Sequence, residues 1–448
     1  MTGKRILKAA LPMLLVGAPL LADDTVDIHG YMRSGVGRSS EGGEQIAFGL
    51  GIIPNPGDFR FGNEDNHYVE LAIDVKAYEK GNTSFKLHFR PAYKESYSAQ
   101  DGSYDRSGGG NAFIPNQKIL FRETWGEATG VFGKSSEAFK DASVWGGRRF
   151  YQRHDVHMLD YWFWDNEGQG AGIENINLGF GKFHVAYIQQ DVQGNIGSGG
   201  GVDIATPTGK YIMSTYDFRL SDIVTNPGGA LTVGLTLQKP ANLKTADNSG
   251  NTKGGYRVDL LHNQGGILGG DNLAAFHYTV GSPLWGWYNA DLTDKNKGWE
   301  FLDALYLAPT KSFAVCFVGL YRDLTIVTNV TAPGSTGSQK SMLIGVRPAW
   351  FFTEHMSLEA EVGYEEVKRD KFYAPGTSKS HLTKETLALQ WQPKPSWWSR
   401  PSLRLFITNA EWGNDKNPNA SWQTYTPPNF ASTKTNGYTY GFQCEAWW

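Results

Sequence analysis

Polar and apolar residues alternate along this chain with a period of two. In VDIHGYMR (26–33), Val26, Ile28, Gly30 and Met32 share one side, and Asp27, His29, Tyr31 and Arg33 share the other. That period is the mark of a strand with two unlike faces. It recurs further on. Val69, Leu71, Ile73 and Val75 oppose Tyr68, Glu70, Asp74 and Lys76. Phe85, Leu87 and Phe89 oppose Lys86, His88 and Arg90, and Leu358, Ala360, Val362 and Tyr364 oppose Glu359, Glu361, Gly363 and Glu365. Breaks such as KGN (80–82) and NPGG (226–229) carry turn residues. The pattern predicts many short-linked antiparallel strands.

A soluble sandwich alternates as well, with a polar outside and an apolar inside. Here charge recurs on the polar face in strand after strand, more than a solvent face needs. The chain end separates the two cases. In GFQCEAWW (441–448), Phe442, Cys444, Ala446 and Trp448 lie on one face, and Gln443, Glu445 and Trp447 on the other. A terminal aromatic strand behind an export signal fits an outer-membrane barrel with an aromatic girdle. The expected fold class is all-β, a transmembrane antiparallel β-barrel. A chain of 448 residues holds on the order of 16–18 strands of that kind.

Composition agrees. Mean hydropathy is −0.41, with 54 Gly, 15 Trp, 21 Tyr and 24 Phe, which does not fit a helical membrane protein. No apolar span of about 20 residues follows the start, so no transmembrane helix is expected. Residues 1–22 read as a signal peptide, with Lys4, Arg5 and Lys8, an apolar run 9–21, and small Ala22. Residues 23–448 then form the barrel. The net charge of −3 gives no bias toward nucleic acid. Cys316 and Cys444 both lie in strand-like segments and are expected as free, buried thiols. The Gly/Ser/Asn/Thr/Pro-rich segments 107–115, 193–210, 241–255, 328–340 and 414–435 read as external loops.

One stretch stands apart, WGGRRFYQRHDVHMLDYWFWD (145–165), with three Arg, three Asp, two His and a run of aromatics. Neither a packed core nor a disordered loop suits that mixture. A wet, partly enclosed surface for a sugar does, because aromatic faces meet the C–H face of a pyranose while Arg and Asp bind its hydroxyls. A salt-bridged brace within the fold is the other reading.

These residues resemble the maltoporin family, the sugar-specific outer-membrane porins that include the sucrose porins. The resemblance runs from Val26 to Trp448. It is densest in VDIHGYMRSG (26–35), FRFGNE (59–64), the segment 146–182, NPGG (226–229), GVRP (345–348), WWSRP (397–401) and the terminal WW. It implies an 18-stranded barrel, a homotrimer, and a third external loop, 153–172, folded into the pore. The GQGAG tail (168–172) would supply the glycines for the bend. The resemblance also implies an aromatic slide for sugars at Tyr31, Tyr68, Trp398 and Trp447. A polar track falls on Arg33, Arg60, Glu70, Arg122, Arg153, Asp155 and Asp160, and a pore constriction on Trp162 and Asp165. Arg153 with Asp155 or Asp160 could equally be a salt bridge within the loop. Four departures stand out. Trp162 replaces the family's tyrosine at the narrowest point. A slide tryptophan lent by a neighbouring subunit has only Tyr104 nearby. A slide phenylalanine aligns near Asp271. The cysteine pair of the first loop is absent.

The expected function is facilitated diffusion of maltose, maltodextrins or related oligosaccharides. The partners would be an oligosaccharide substrate, outer-membrane lipid and two further copies of the chain. A phage or a periplasmic sugar-binding protein could accompany that role. No cofactor and no metal are expected, and there is no GxxxxGK[ST], HExxH or GxSxG motif. The alternatives are a general diffusion porin, a porin for another sugar such as sucrose, and a secreted β-rich glycoside hydrolase using carboxylates such as Asp155 and Asp160.

Overall fold

The structure, a computed structural model, describes residues 25–52, 56–96, 120–133, 136–191, 212–240, 254–281, 295–328, 335–371, 377–415, 427 and 430–448. The signal segment 1–22, Tyr104, the segments 107–115 and 193–210, and most of 241–255 lie outside the described residues.

Within them, 18 antiparallel strands pair in sequence order, and β1 (Val26–Ser39) pairs both with β2 (Asn66–Lys80) and with β18 (Asn436–Trp447). The sheet therefore closes on itself and has no free edge, which a bilayer requires of a strand-built protein. The seam is tight. Gly30 N donates to Trp448 O at 3.1 Å, and Trp448 N donates back to Gly30 O at 3.3 Å.

The alternation resolves inside out. Ile28 is 54% exposed and Leu405 54%, whereas Glu361 and Glu365 are each 1% exposed. Apolar side chains thus face outward and charges inward, the reverse of a soluble sandwich and the arrangement lipid demands. The two cysteines are free, as expected, but half-buried rather than buried. They lie in β13 (Phe313–Thr328) and β18.

Some of the expected loops are partly strand at their ends. Ser335 to Lys340 belong to β14 (Ser335–Phe351), where Lys340 pairs with Asp323 of β13 and Lys368 of β15 (Met356–Asp370). Asn414 ends within β17 (Ser402–Asp415). A ladder can run past the lipid edge with polar side chains on both faces, so composition misplaces its end.

The lumen is not open across its width. β5 (Ser143–Val156) and β6 (Tyr161–Asn177) continue inward as a hairpin whose tip is the 3-10 turn His157–Leu159. The loop expected at 153–172 is thus mostly paired strand, because a chain crossing the lumen satisfies its backbone groups best on itself. Gly168 takes φ +152 opposite Arg149, where the hairpin leaves the wall. Residues 40–52 and 56–65 after β1 also fold inward, which was not expected. Their Ile46, Phe48, Leu50, Ile52 and Phe59 join Val156, Met158, Leu159, Phe163 and Trp164 in one apolar core inside the barrel. The two inward segments meet directly, with Asp58 N bonded to Leu159 O and Arg60 N to Met158 O, both at 3.1 Å. Phe59 lies flat on Gly345 of β14 and Gly363 of β15, where an added Cβ would stand 2.1–2.3 Å from its ring. Two of the motifs that carry the resemblance, FRFGNE and GVRP, therefore meet in space.

Candidate functional site

That core fills one side of the lumen. The other side of the lumen, along β1, β2, β18 and the hairpin, carries most of the residues singled out from the sequence. Strand register places its residues. Tyr31 stands opposite Glu70 on β2 and Trp447 on β18, and Arg33 stands opposite Tyr68 and Glu445. All therefore share the inner face.

The aromatics form a line. Tyr68 and Tyr31 are 5.9 Å apart between ring centroids. Trp447, beside Tyr31 in register, meets His157 at 5.5 Å, and His157 meets Trp398 at 5.7 Å. Trp398 meets Tyr306 at 5.8 Å, on β12 (Lys297–Thr310). Trp398 is 44% exposed, while its neighbour Trp397 is buried and packs on Tyr306.

His157 and Tyr306 were not singled out from the sequence. His157 lay within the charged aromatic stretch but carried no face assignment. Tyr306 stands opposite Asp271 in the register between β11 (Gly270–Val280) and β12. An aromatic thus occupies the strand beside the position where the expected phenylalanine is missing. Only the pairing reveals this.

His157 Nδ1 accepts from Arg60 Nη1 at 2.9 Å. Burial, and then the positive charge of Arg60 and Arg400, hold the His157 pKa well below the ordinary imidazole value, despite nearby Glu445. The ring is therefore a neutral aromatic member of the line.

The charged residues fall into two groups. Arg60 and Glu70 are buried, and they brace the tyrosines. Arg60 donates to the Tyr31 hydroxyl and Tyr68 donates to Glu70. Tyr31 in turn donates to Glu445 at 3.2 Å. Arg122 Nη1 donates to the Tyr68 hydroxyl at 2.9 Å and lies 3.3 Å from Glu70. Glu445 is a hub, contacted by Arg60 at 2.6 Å, Arg404 at 2.8 Å and Arg400 at 3.0 Å. Neither Glu445 nor Arg400 was expected as a site residue, although Glu445 was placed on one face with Trp447.

Arg33, Arg153, Asp155 and Asp160 are less enclosed. Arg33 reaches Glu64 at 3.0 Å and Asp160 at 3.5 Å. Asp160 is exposed to the channel at φ +49, a left-handed conformation that aspartate tolerates. Arg153 pairs with neither Asp155 nor Asp160. Its Nη1 lies 3.8 Å from Asp165 and 3.9 Å from Glu167, across the hairpin. Its guanidinium sits between Phe150 (3.5 Å) and Trp162 (3.9 Å). Trp162 is 41% exposed and, with Arg153, borders a lumen cavity of about 370 Å³. Replacing Trp162 by Tyr removes ring area and weakens a cation–π contact worth about 0.5–1 kcal/mol at an exposed site. Single-channel conductance is expected to rise while the unfolding midpoint stays nearly unchanged. Unaltered conductance would show that the narrowest point lies elsewhere.

A closed barrel with a charged lumen, an inward hairpin and an apolar outside is a membrane channel of the porin type. A sequence model described as LamB porin matches residues 26–448. The chain belongs to the LamB porin family. It is thus a multi-pass β-barrel of the outer membrane, a channel and not an enzyme.

Solved structures similar to the chain include OccAB2 of Acinetobacter baumannii, at 11% identity and TM-score 0.48, covering 95% of this chain and 98% of that one. OccK10 (OpdN) of Pseudomonas aeruginosa follows at 10% identity and TM-score 0.47, with coverage of 94% and 98%. OmpF of Salmonella typhi, in complex with daunomycin, has 12% identity and TM-score 0.45, with coverage of 94% and 97%.

Proposed function

We propose that this channel selects neutral oligosaccharides, with maltose and maltodextrins as the leading class, and that it works as a homotrimer. The reading rests on one observation. The line Tyr68, Tyr31, Trp447, His157, Trp398, Tyr306 runs through the lumen beside charged groups on the same inner face. Aromatic faces in a charged lumen have no packing need to be there. They offer a sugar an apolar surface, while Arg33, Arg153, Asp155 and Asp160 offer donors and acceptors to its hydroxyls. Arg60, Glu70 and Arg122 act chiefly by fixing the tyrosines. Trp162 and Asp165 shape the passage on the hairpin side. Many shallow contacts suit transport, since a sugar must leave as well as enter.

The test is ion current through planar bilayers with maltotriose, sucrose and other oligosaccharides added. Maltotriose is expected to block in a saturable way. Tyr31→Ala is expected to weaken that block about fivefold, for a stacking contribution of about 1 kcal/mol. Tyr31→Phe, which keeps the ring, is expected to retain most of it. If no sugar in the panel blocks, the channel is a general diffusion porin. Block by sucrose alone would reassign the substrate.

A further inference from the structure

We propose that Asp27, His29 and Asp74 form a binding site for a divalent transition metal ion of the zinc type, on the lumen wall at the rim where the short turns lie. One donor atom from each residue, two carboxylate oxygens and an imidazole nitrogen, lies within 4.8 Å of the others. Such a triad can close on a single ion at ordinary bond lengths with small side-chain movements.

The register shows why these side chains converge. Asp27 and Asp74 are direct cross-strand partners on β1 and β2, and Asp74 is the partner of His88 on β3 (Thr83–Ser96). Like charges placed opposite each other on antiparallel strands destabilise a sheet. The ionic contacts of both aspartates among the described residues are to imidazoles. His29 lies 3.7 Å from Asp27 and 3.9 Å from Asp74, and His88 lies 2.7 Å from Asp74. A bound cation resolves that repulsion. Imidazole with two carboxylates suits zinc-like ions better than magnesium or calcium, which take oxygen alone.

His88 supports the site from behind. Its Nδ1 bonds Asp74, and its ring is stacked on Trp125 at 3.8 Å and 13°. A fixed second partner of this kind orients a ligating carboxylate. Asp74, His29 and His88 also border the 370 Å³ lumen cavity, so an ion reaches the site through water. Asp27 and His29 continue the inner face of β1 that bears Tyr31, so a bound ion adds positive charge just beyond the sugar line.

The test uses the whole folded protein without a histidine tag, titrated with zinc chloride by calorimetry, with no sugar present. One saturable site per chain is expected. His29→Gln and Asp74→Asn are expected to weaken it at least about tenfold, and His88→Phe about tenfold through the lost support. Zinc is also expected to lower cation current through the wild-type channel and to have less effect on the His29→Gln channel. Slow, unheated migration on a gel checks that each variant keeps its barrel, and any one folded variant suffices. Absence of saturable zinc binding overturns the proposal. So does binding that is unchanged in a folded His29→Gln or Asp74→Asn variant, since the ion would then sit elsewhere.

Discussion

Replacing Glu445 by glutamine is expected to cost about 3–5 kcal/mol of stability, the range for breaking one member of a buried ionic network. Glu445 is 1% exposed and gathers Arg60, Arg400, Arg404 and the Tyr31 hydroxyl. Glutamine keeps the shape but removes the charge, leaving three guanidinium groups with less compensation. The other partners soften the loss, for Arg60 also holds Glu64, and Arg404 reaches Gln443 at 3.1 Å. A lower urea midpoint in lipid is the readout. A shift of channel preference toward anions should accompany it, because a negative charge leaves the channel wall. An unchanged midpoint would mean that water already screens the cluster, and that the hub does not hold Tyr31 and the 40–65 segment together.

The second large effect concerns the far anchor of the hairpin. Arg322 of β13 donates to Glu300 of β12 and to the Tyr161 hydroxyl, each at 2.7 Å, and Tyr161 lies 3.1 Å from Glu300. Both charged groups are fully enclosed. Arg322→Met strands Glu300 beside a phenol, again at about 3–5 kcal/mol. The hairpin is then expected to loosen from the wall, giving larger and noisier single-channel currents and weaker sugar block. Replacing the whole network by apolar groups, with Arg322→Met, Glu300→Leu and Tyr161→Phe together, should recover most of the stability, since burying ions costs about as much as pairing them returns. If Arg322→Met leaves current noise and sugar block untouched, the apolar contacts of Phe163 and Trp164 hold the hairpin without this anchor. Those contacts are substantial. Trp164 is fully buried, lies under Arg219 at 4.1 Å, and rests on Gly234, where an added Cβ would stand 2.2 Å from its ring.

The period-two alternation in the chain determined much of this protein. It named several of the strands, put Tyr31, Tyr68, Glu70 and Trp447 on the polar faces of theirs, and pointed to a barrel once the aromatic chain end was considered. This works because a strand's two faces see different solvents, so each side chain reports its side locally. The charged aromatic stretch stood out by its composition and the family resemblance implied its inward fold, while its pairing as a hairpin came from the structure. Tertiary structure alone decided which charges meet. Arg153 turned out to face Asp165 and Glu167 because the hairpin partner strand, and not sequence distance, brings them close. Tyr306, opposite Asp271 in register, joined the aromatic line through Trp398, and three strands set Asp27 opposite Asp74 and Asp74 opposite His88. The inward fold after β1 had a local trace in the alternating Ile46, Phe48, Leu50 and Ile52, but the seat of Phe59 on Gly345 and Gly363, some 300 residues away, had none. Alternation encodes which side of the sheet a residue takes. It says nothing of which residue lies across the lumen, because that depends on closure of the whole barrel.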